Sequence, residues 1–150
     1  MAEFKHIIRI ANTDLEGKKQ ILYALRKIKG VDIMFANMAL SNAGIEKNKK
    51  AGELLDGEAE KLNDIILNPK KYGCPEWLLN RRKDVETGED THLLTADLDF
   101  AKETDVKRMM KTKSYKGLRH QARLPVRGQR TKSNFRRQKG KGLGVKKKSR

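Results

Sequence analysis

Apolar positions recur at two different periods along the chain. Phe4, His6, Ile8 and Ile10 alternate with Lys5, Ile7 and Arg9, the two-residue period of a half-buried strand or extended arm. The stretch ANTDLEG that follows reads as a loop. The period then lengthens. Between Lys18 and Lys29, Ile21, Leu22, Leu25 and Ile28 fall at helical spacing, and Gly30 stands where a helix would end. Met34 to Ala43 predicts a second helix, packed through Met34, Phe35, Met38, Ala39 and Leu40 and closed by Gly44. Short helices with tight glycine connections form a helical hairpin. Asp56 is placed to cap a third helix with Leu62, Ile65 and Ile66 on its inner face, and Asn68-Pro69 stops it. CPEWLLN starts another helical turn with Pro75 at its first position, and Trp77, Leu78 and Leu79 are expected to close the core together with Phe35 and the methionines at 34 and 38.

Residues 81–93, RRKDVETGEDTHL, place a Thr-Gly-Glu-Asp turn between Val85 and Thr91-His92-Leu93. That predicts a small exposed β-hairpin. Its acidic tip (Glu86, Glu89, Asp90) faces solvent or a basic protein neighbour. Thr95 to about Lys113 predicts the longest helix. Asp97 and Asp99 lie in its first turns and Lys107, Arg108, Lys111 and Lys113 in its last, a polarity that complements the helix dipole. Glu103 and Lys107 form a favourable i,i+4 pair. After Gly117 the periodicity weakens, leaving room for one turn over Leu118–Arg123 before Pro125 and Gly128 interrupt it.

Charge sharpens this division. The chain of 150 residues carries a net charge of +16. From Lys107 onward it has 18 Lys+Arg and no acidic residue, whereas the rest holds 17 against 19 Asp+Glu. A nearly neutral body therefore joins a strongly basic tail, which points to a polyanionic partner. Three segments follow: a helical body over 1–80, a hairpin and long helix over 81–116, and an extended tail over 117–150. The tail buries too little apolar surface to offset its ordering entropy, so it is expected to order only on a partner. One cysteine allows no internal disulfide, the three histidines are too scattered for a zinc site, and no apolar run is long enough to span a membrane. An intracellular, reducing setting is expected.

In the tail Arg119, Arg123, Arg127, Arg130, Arg136 and Arg137 dominate. Guanidinium groups bond phosphate oxygens in pairs and stack on bases. Gly117 and Gly128 allow close backbone approach, and Gln129, Thr131, Ser133 and Asn134 supply polar groups able to reach a ribose hydroxyl. Lys146, Lys147, Lys148 and Arg150 form a terminal charge cluster. His120 has no carboxylate nearby to orient it for acid–base work, so contact with RNA is the reading for it. His6 and His92 read as surface or half-buried residues and Cys74 as a structural thiol. The Gly30-Val31-Asp32 turn could offer amides to a phosphate, but Asp32 would repel it, so the turn reads as structural. No phosphate-binding loop, zinc-protease helix or nucleophile elbow is present.

GLRHQARLPVRGQRTKSNFRRQKG resembles the signature of the universal small-subunit ribosomal protein thirteen family. The likeness holds at Gly117, Arg119, His120, Leu124, Pro125, Val126, Arg127, Gly128, Gln129, Arg130, Thr131 and Asn134. IKGVDIMFANMALSNAGI, with Gly52-Glu53-Leu54 after it, is similar to the family's helix-two-turn-helix body. The stretch from Glu76 to Arg81 and the inserted hairpin resemble the archaeal and eukaryotic type, with the archaeal type favoured. The resemblance implies a mostly α fold: a helix-two-turn-helix body, a small β-hairpin, a long helix and an extended basic tail. It implies a structural, non-enzymatic role without cofactor in the cytoplasmic ribosome, in the head of the small subunit. The implied partners are the 3′ major domain of small-subunit ribosomal RNA, small-subunit protein nineteen, large-subunit protein five at an inter-subunit bridge, and tRNA near the P site. Arg119, His120, Arg127, Gly128, Gln129, Arg130, Thr131 and Asn134 are the implied ribosomal RNA contacts, with Lys146–Arg150 reaching toward tRNA. A DNA-associated architectural protein and a transient ribosome-assembly factor are the alternatives.

Overall fold

The computed structural model describes residues 4–132. The fold is mostly α with one small antiparallel hairpin, as expected, but the hairpin's strands lie at the start of the chain. β1 (Ile7–Ile10) pairs with β2 (Thr13–Glu16) in the register Ile8↔Leu15 and Ile10↔Thr13. The stretch read as a loop is therefore half strand. Only Leu15 of β2 is apolar and buried, so no alternation announces it. Ala11 and Asn12 both take positive φ, the two-residue turn that matches strand twist.

The first helix is shorter than its apolar spacing suggests. α1 covers Ile21–Leu25 only. Beyond it the amides of Lys27 and Ile28 bond to Ala24 and Leu25, three residues back, a tighter winding that still turns Leu25 and Ile28 inward. Before it, the backbone of 19–21 is committed elsewhere: Ile21 N–H bonds Lys49 C=O and Ala51 N–H bonds Lys19 C=O. Gly30 adopts φ +101°, and a Cβ there would lie 2.6 Å from the Leu93 carbonyl oxygen, so this turn accepts only glycine comfortably.

α2 (Ile33–Ala43) ends at Gly44 in the left-handed conformation, and α3 (Asp56–Leu67) follows across a 3-10 turn at Ala51–Glu53. This is the expected helix-two-turn-helix arrangement. Asp56 is the first residue of α3 rather than its cap; Glu58 instead accepts the Leu55 N–H at 3.0 Å. Lys49 bonds the same carboxylate at 2.6 Å, and that bond is the main reason the Glu58 carboxyl sits below its ordinary range. α2 buries Phe35, Ala36, Ala39 and Leu40 against Leu62, Ile65 and Ile66 of α3, with Ile10, Leu15, Ile21, Leu25 and Ile28 completing the core.

Two core expectations fail, each for its own geometric reason. Trp77 is 64% exposed and Met34 57% exposed. The Glu76–Leu78 segment is a 3-10 turn entered from Pro75, which precedes the turn as its cap, and its winding sends Leu79 inward and Trp77 outward. Met34 lies off the inner face of α2. Met38 and Leu78 are partly buried, and Cys74 is buried, which pushes its thiol pKa up and fits a structural role.

Residues 81–93 form a turn closed by one bridge, Arg81↔Thr91, rather than a pair of strands. Asn80 fastens its base, accepting the Leu93 N–H at 2.8 Å and donating to the Leu93 carbonyl at 2.7 Å. The side chain next to that clamp, His92, stacks flat on Phe35 with centroids 4.0 Å apart. Burial lowers its pKa to about 4, with the Gly30 backbone pulling weakly the other way. The fold thus favours neutral imidazole. Its stabilisation is complete above the unfolded pKa near 6.5 and is lost as pH falls toward 4. The ring is only half-buried, so solvent screening reduces the effect to about 1–2 kcal/mol. His92→Phe keeps an aromatic stack and removes the titration. Chemical denaturation at pH 7 and pH 5 should show the variant losing less stability than the parent; equal losses would exclude His92 as the cause.

Two compact units divide the chain, the first up to Lys102 and the second from Glu103. The division falls inside α4 (Thr95–Lys111), the longest helix, whose Glu103 and Lys107 make the expected pair at 3.5 Å.

Candidate nucleic-acid interface

The second unit is built on a corner between α4 and α5 (Tyr115–Gln121). α4 ends with Lys113 at φ +51°, its N–H on Met110 C=O and the Ser114 N–H on Met109 C=O. α5 ends the same way, with Arg123 at φ +54° and the Arg123 and Leu124 N–H groups on His120 and Arg119 carbonyls. Both are Schellman ends in which a basic residue takes the place usually held by glycine. Each left-handed cation carries a strain of about 1 kcal/mol, offset by the helix dipole, which favours positive charge at a C-terminus.

Ser114 joins the helices. Its hydroxyl donates to Met109 C=O at 3.0 Å and accepts the Gly117 N–H at 3.2 Å. Gly117 is buried, and a Cβ on it would stand 2.1 Å from the Met109 carbonyl oxygen. Gly117 is therefore what lets α5 lie against the backbone of α4. Gly117, expected as a nucleic-acid contact, thus has a packing role in this corner.

The remaining motif residues divide by what their side chains already touch. Arg119 donates through Nε to the Pro125 carbonyl at 2.9 Å and lies 6.0 Å from the Tyr115 ring centroid. It ties α5 to the chain that follows and retains Nη groups for a ligand. His120 is half-buried on α5. Gln129 accepts the Arg127 N–H at 3.2 Å, closing a local turn in which Gly128 takes φ +75°. Arg123, Arg127, Arg130 and Thr131 are exposed. Among the described residues none of those arginines has a carboxylate within 4.0 Å. Their guanidinium groups are available for phosphate. Asn134, Arg136, Arg137, Lys146, Lys147, Lys148 and Arg150 lie outside the described residues.

α5 also starts earlier than the single turn expected at 118, and this brings in Tyr115, which the sequence reading passed over. Its ring is exposed beside Arg119, an aromatic face of the kind on which bases stack. An aromatic residue two positions before a basic motif was the available signal.

In the first unit the Gly30–Asp32 turn has no claim on phosphate. Asp32 accepts Arg26 Nε at 3.1 Å, which agrees with the structural reading. Among the described residues no cluster of side chains is arranged to hold a metal, and no helix is long and apolar enough to cross a membrane.

The model of the family described as ribosomal protein S13/S18 matches residues 9–137. The small ribosomal subunit protein uS13 of Methanothermobacter thermautotrophicus is 50% identical over 148 residues, covering 99% of this chain and 98% of that protein. That of Nanoarchaeum equitans is 51% identical over 144 residues, covering 96% and 93%. That of Methanopyrus kandleri is 47% identical over 148 residues, covering 97% of each.

Proposed function

Because the chain belongs to the ribosomal protein S13/S18 family and is a structural, non-enzymatic protein of the small ribosomal subunit of archaeal type, we propose that its basic segment from Arg119 onward anchors it to small-subunit ribosomal RNA. The carrying observation is that Arg123, Arg127 and Arg130 extend, exposed and without carboxylate partners among the described residues, from a helix corner that fixes their starting point. After Asp105 the chain has no acid to compete for them. The 3′ major domain in the subunit head is the assigned RNA. Small-subunit protein nineteen and large-subunit protein five, the latter across a subunit bridge, are the assigned protein neighbours. The Lys146–Arg150 cluster is assigned to the vicinity of P-site tRNA.

Sedimentation of cell extract through a high-salt gradient tests the reading. Stoichiometric comigration with small subunits is expected. Recovery at the top of the gradient, with DNA, or only on immature particles would replace it with a DNA-binding or assembly role. At the residue level, Arg127→Ala should weaken binding to small-subunit RNA and lower the slope of log affinity against log salt by about 1. An unchanged affinity at fixed salt would remove Arg127 from the interface.

A further inference from the structure

The first unit is neutral in sum but not in detail. Residues 17–31, GKKQILYALRKIKGV, contain Lys18, Lys19, Arg26, Lys27 and Lys29 and no acid. The fold adds a second basic run to this one. Ile21 N–H bonds Lys49 C=O, Ala51 N–H bonds Lys19 C=O, and Gln20 bridges Lys50, so KNKK at 47–50 lies along 19–21. Beside that seam is a cleft of about 340 Å³ lined by Glu16, Lys19, Tyr23, Ala24, Arg26 and Lys27.

Tyr23 has no structural task that explains it. Its side chain is 53% exposed on α1 and its hydroxyl has no hydrogen-bond partner among the described residues. Its neighbour Ala24 is small and buried, leaving room beside the ring. Lys19 pairs with Glu16 and Arg26 with Asp32, each at 3.1 Å and each with at least half of the cation's side chain exposed. Surface pairs of this kind are worth little and yield readily to a phosphate. Lys27 and Lys18 have no carboxylate within 4.0 Å among the described residues.

We infer that the Tyr23 cleft is a second RNA-binding site, taking an unpaired nucleotide whose base stacks on Tyr23 and whose phosphates meet Lys27 and Lys19. An open aromatic face among cations is the chemistry that holds single-stranded nucleic acid. The lining carries three cations against one carboxylate, which disfavours a basic protein segment as occupant. The inference rests on the ribosomal RNA-binding role proposed above but uses residues remote in sequence from the tail.

The test is titration of the full-length chain with a labelled ten-nucleotide oligouridylate at fixed salt, with photocrosslinks from thiouridine mapped by mass. Tyr23→Ala should weaken binding about five- to tenfold and Tyr23→Phe should restore it, since stacking needs the ring and not the hydroxyl. The crosslink should fall within residues 20–27. Both variants change an exposed side chain, so the fold is retained. If Tyr23→Ala binds like the parent while Arg127→Ala binds less tightly, the cleft is refuted and the tail anchor stands. If Tyr23→Phe is as weak as Tyr23→Ala, stacking is refuted. If neither Tyr23→Ala nor Arg127→Ala changes binding, both assignments fall.

Discussion

Gly117→Ala is expected to undo the α4–α5 corner. The added Cβ would lie 2.1 Å from the Met109 carbonyl oxygen, 2.4 Å from its carbon and 2.7 Å from the Met110 nitrogen. All three are backbone atoms, so no rotamer change relieves the clash; α5 must move away from α4. Separation would break the Ser114 link, whose hydroxyl bonds Met109 C=O and the Gly117 N–H. The expected cost is about 3 kcal/mol or more, at the upper end of overpacking, and it should be local. Amide hydrogen exchange of the full-length chain would register it. Protection should vanish at Gly117, Leu118 and Ala122 and persist at Ile21, Leu40 and Ile66. RNA affinity should fall as well, because the arginines would lose their fixed origin. Parental exchange rates in α5 would mean that the corner tolerates a methyl group and that Gly117 has another role.

Deleting residues 133–150 should have the largest effect on RNA binding. The deletion removes eight Lys+Arg residues and no acid. If most of them neutralise a phosphate, the slope of log affinity against log salt should fall by about 5, and affinity at low salt by at least about a hundredfold. The helices of the described residues end before the cut, so their melting transition should be preserved. Titration against small-subunit ribosomal RNA at several salt concentrations measures both quantities. An unchanged slope would mean that these cations do not meet phosphates, and would confine the anchor to residues 119–132.

The elements most legible in the sequence were those whose local signals agree. α2, α3 and α4 each combine helical apolar spacing or charge polarity with a defined stop, at Gly44, Asn68 and the lysines around 111. The elements misread were those stabilised by something outside their own sequence. β2 is a strand because β1 pairs with it, although Leu15 is its only buried residue. α1 is short because residues 19–21 bond to 49–51. Trp77 was assigned inward on hydrophobicity, but a 3-10 turn chose Leu79.

The candidate site divides along the same line. Sequence alone determined that a neutral, mostly helical body carries an arginine-rich, acid-free segment, because composition and periodicity are properties of the chain itself. It also determined the family, since the motif from Gly117 to Asn134 is specific in order as well as in charge. Only the tertiary structure decided which motif residues remain open to a ligand. Gly117 is consumed by packing, Arg119 and Gln129 are partly committed to local carbonyl and amide groups, and Arg123, Arg127 and Arg130 are left exposed. Only the fold, again, brings Lys49 and Lys50 alongside Lys19 and leaves Tyr23 exposed in the cleft that Lys19 lines. Charge sums are additive along a sequence, but electrostatic potential and stacking depend on distance and orientation, which long-range hydrogen bonds and core packing set.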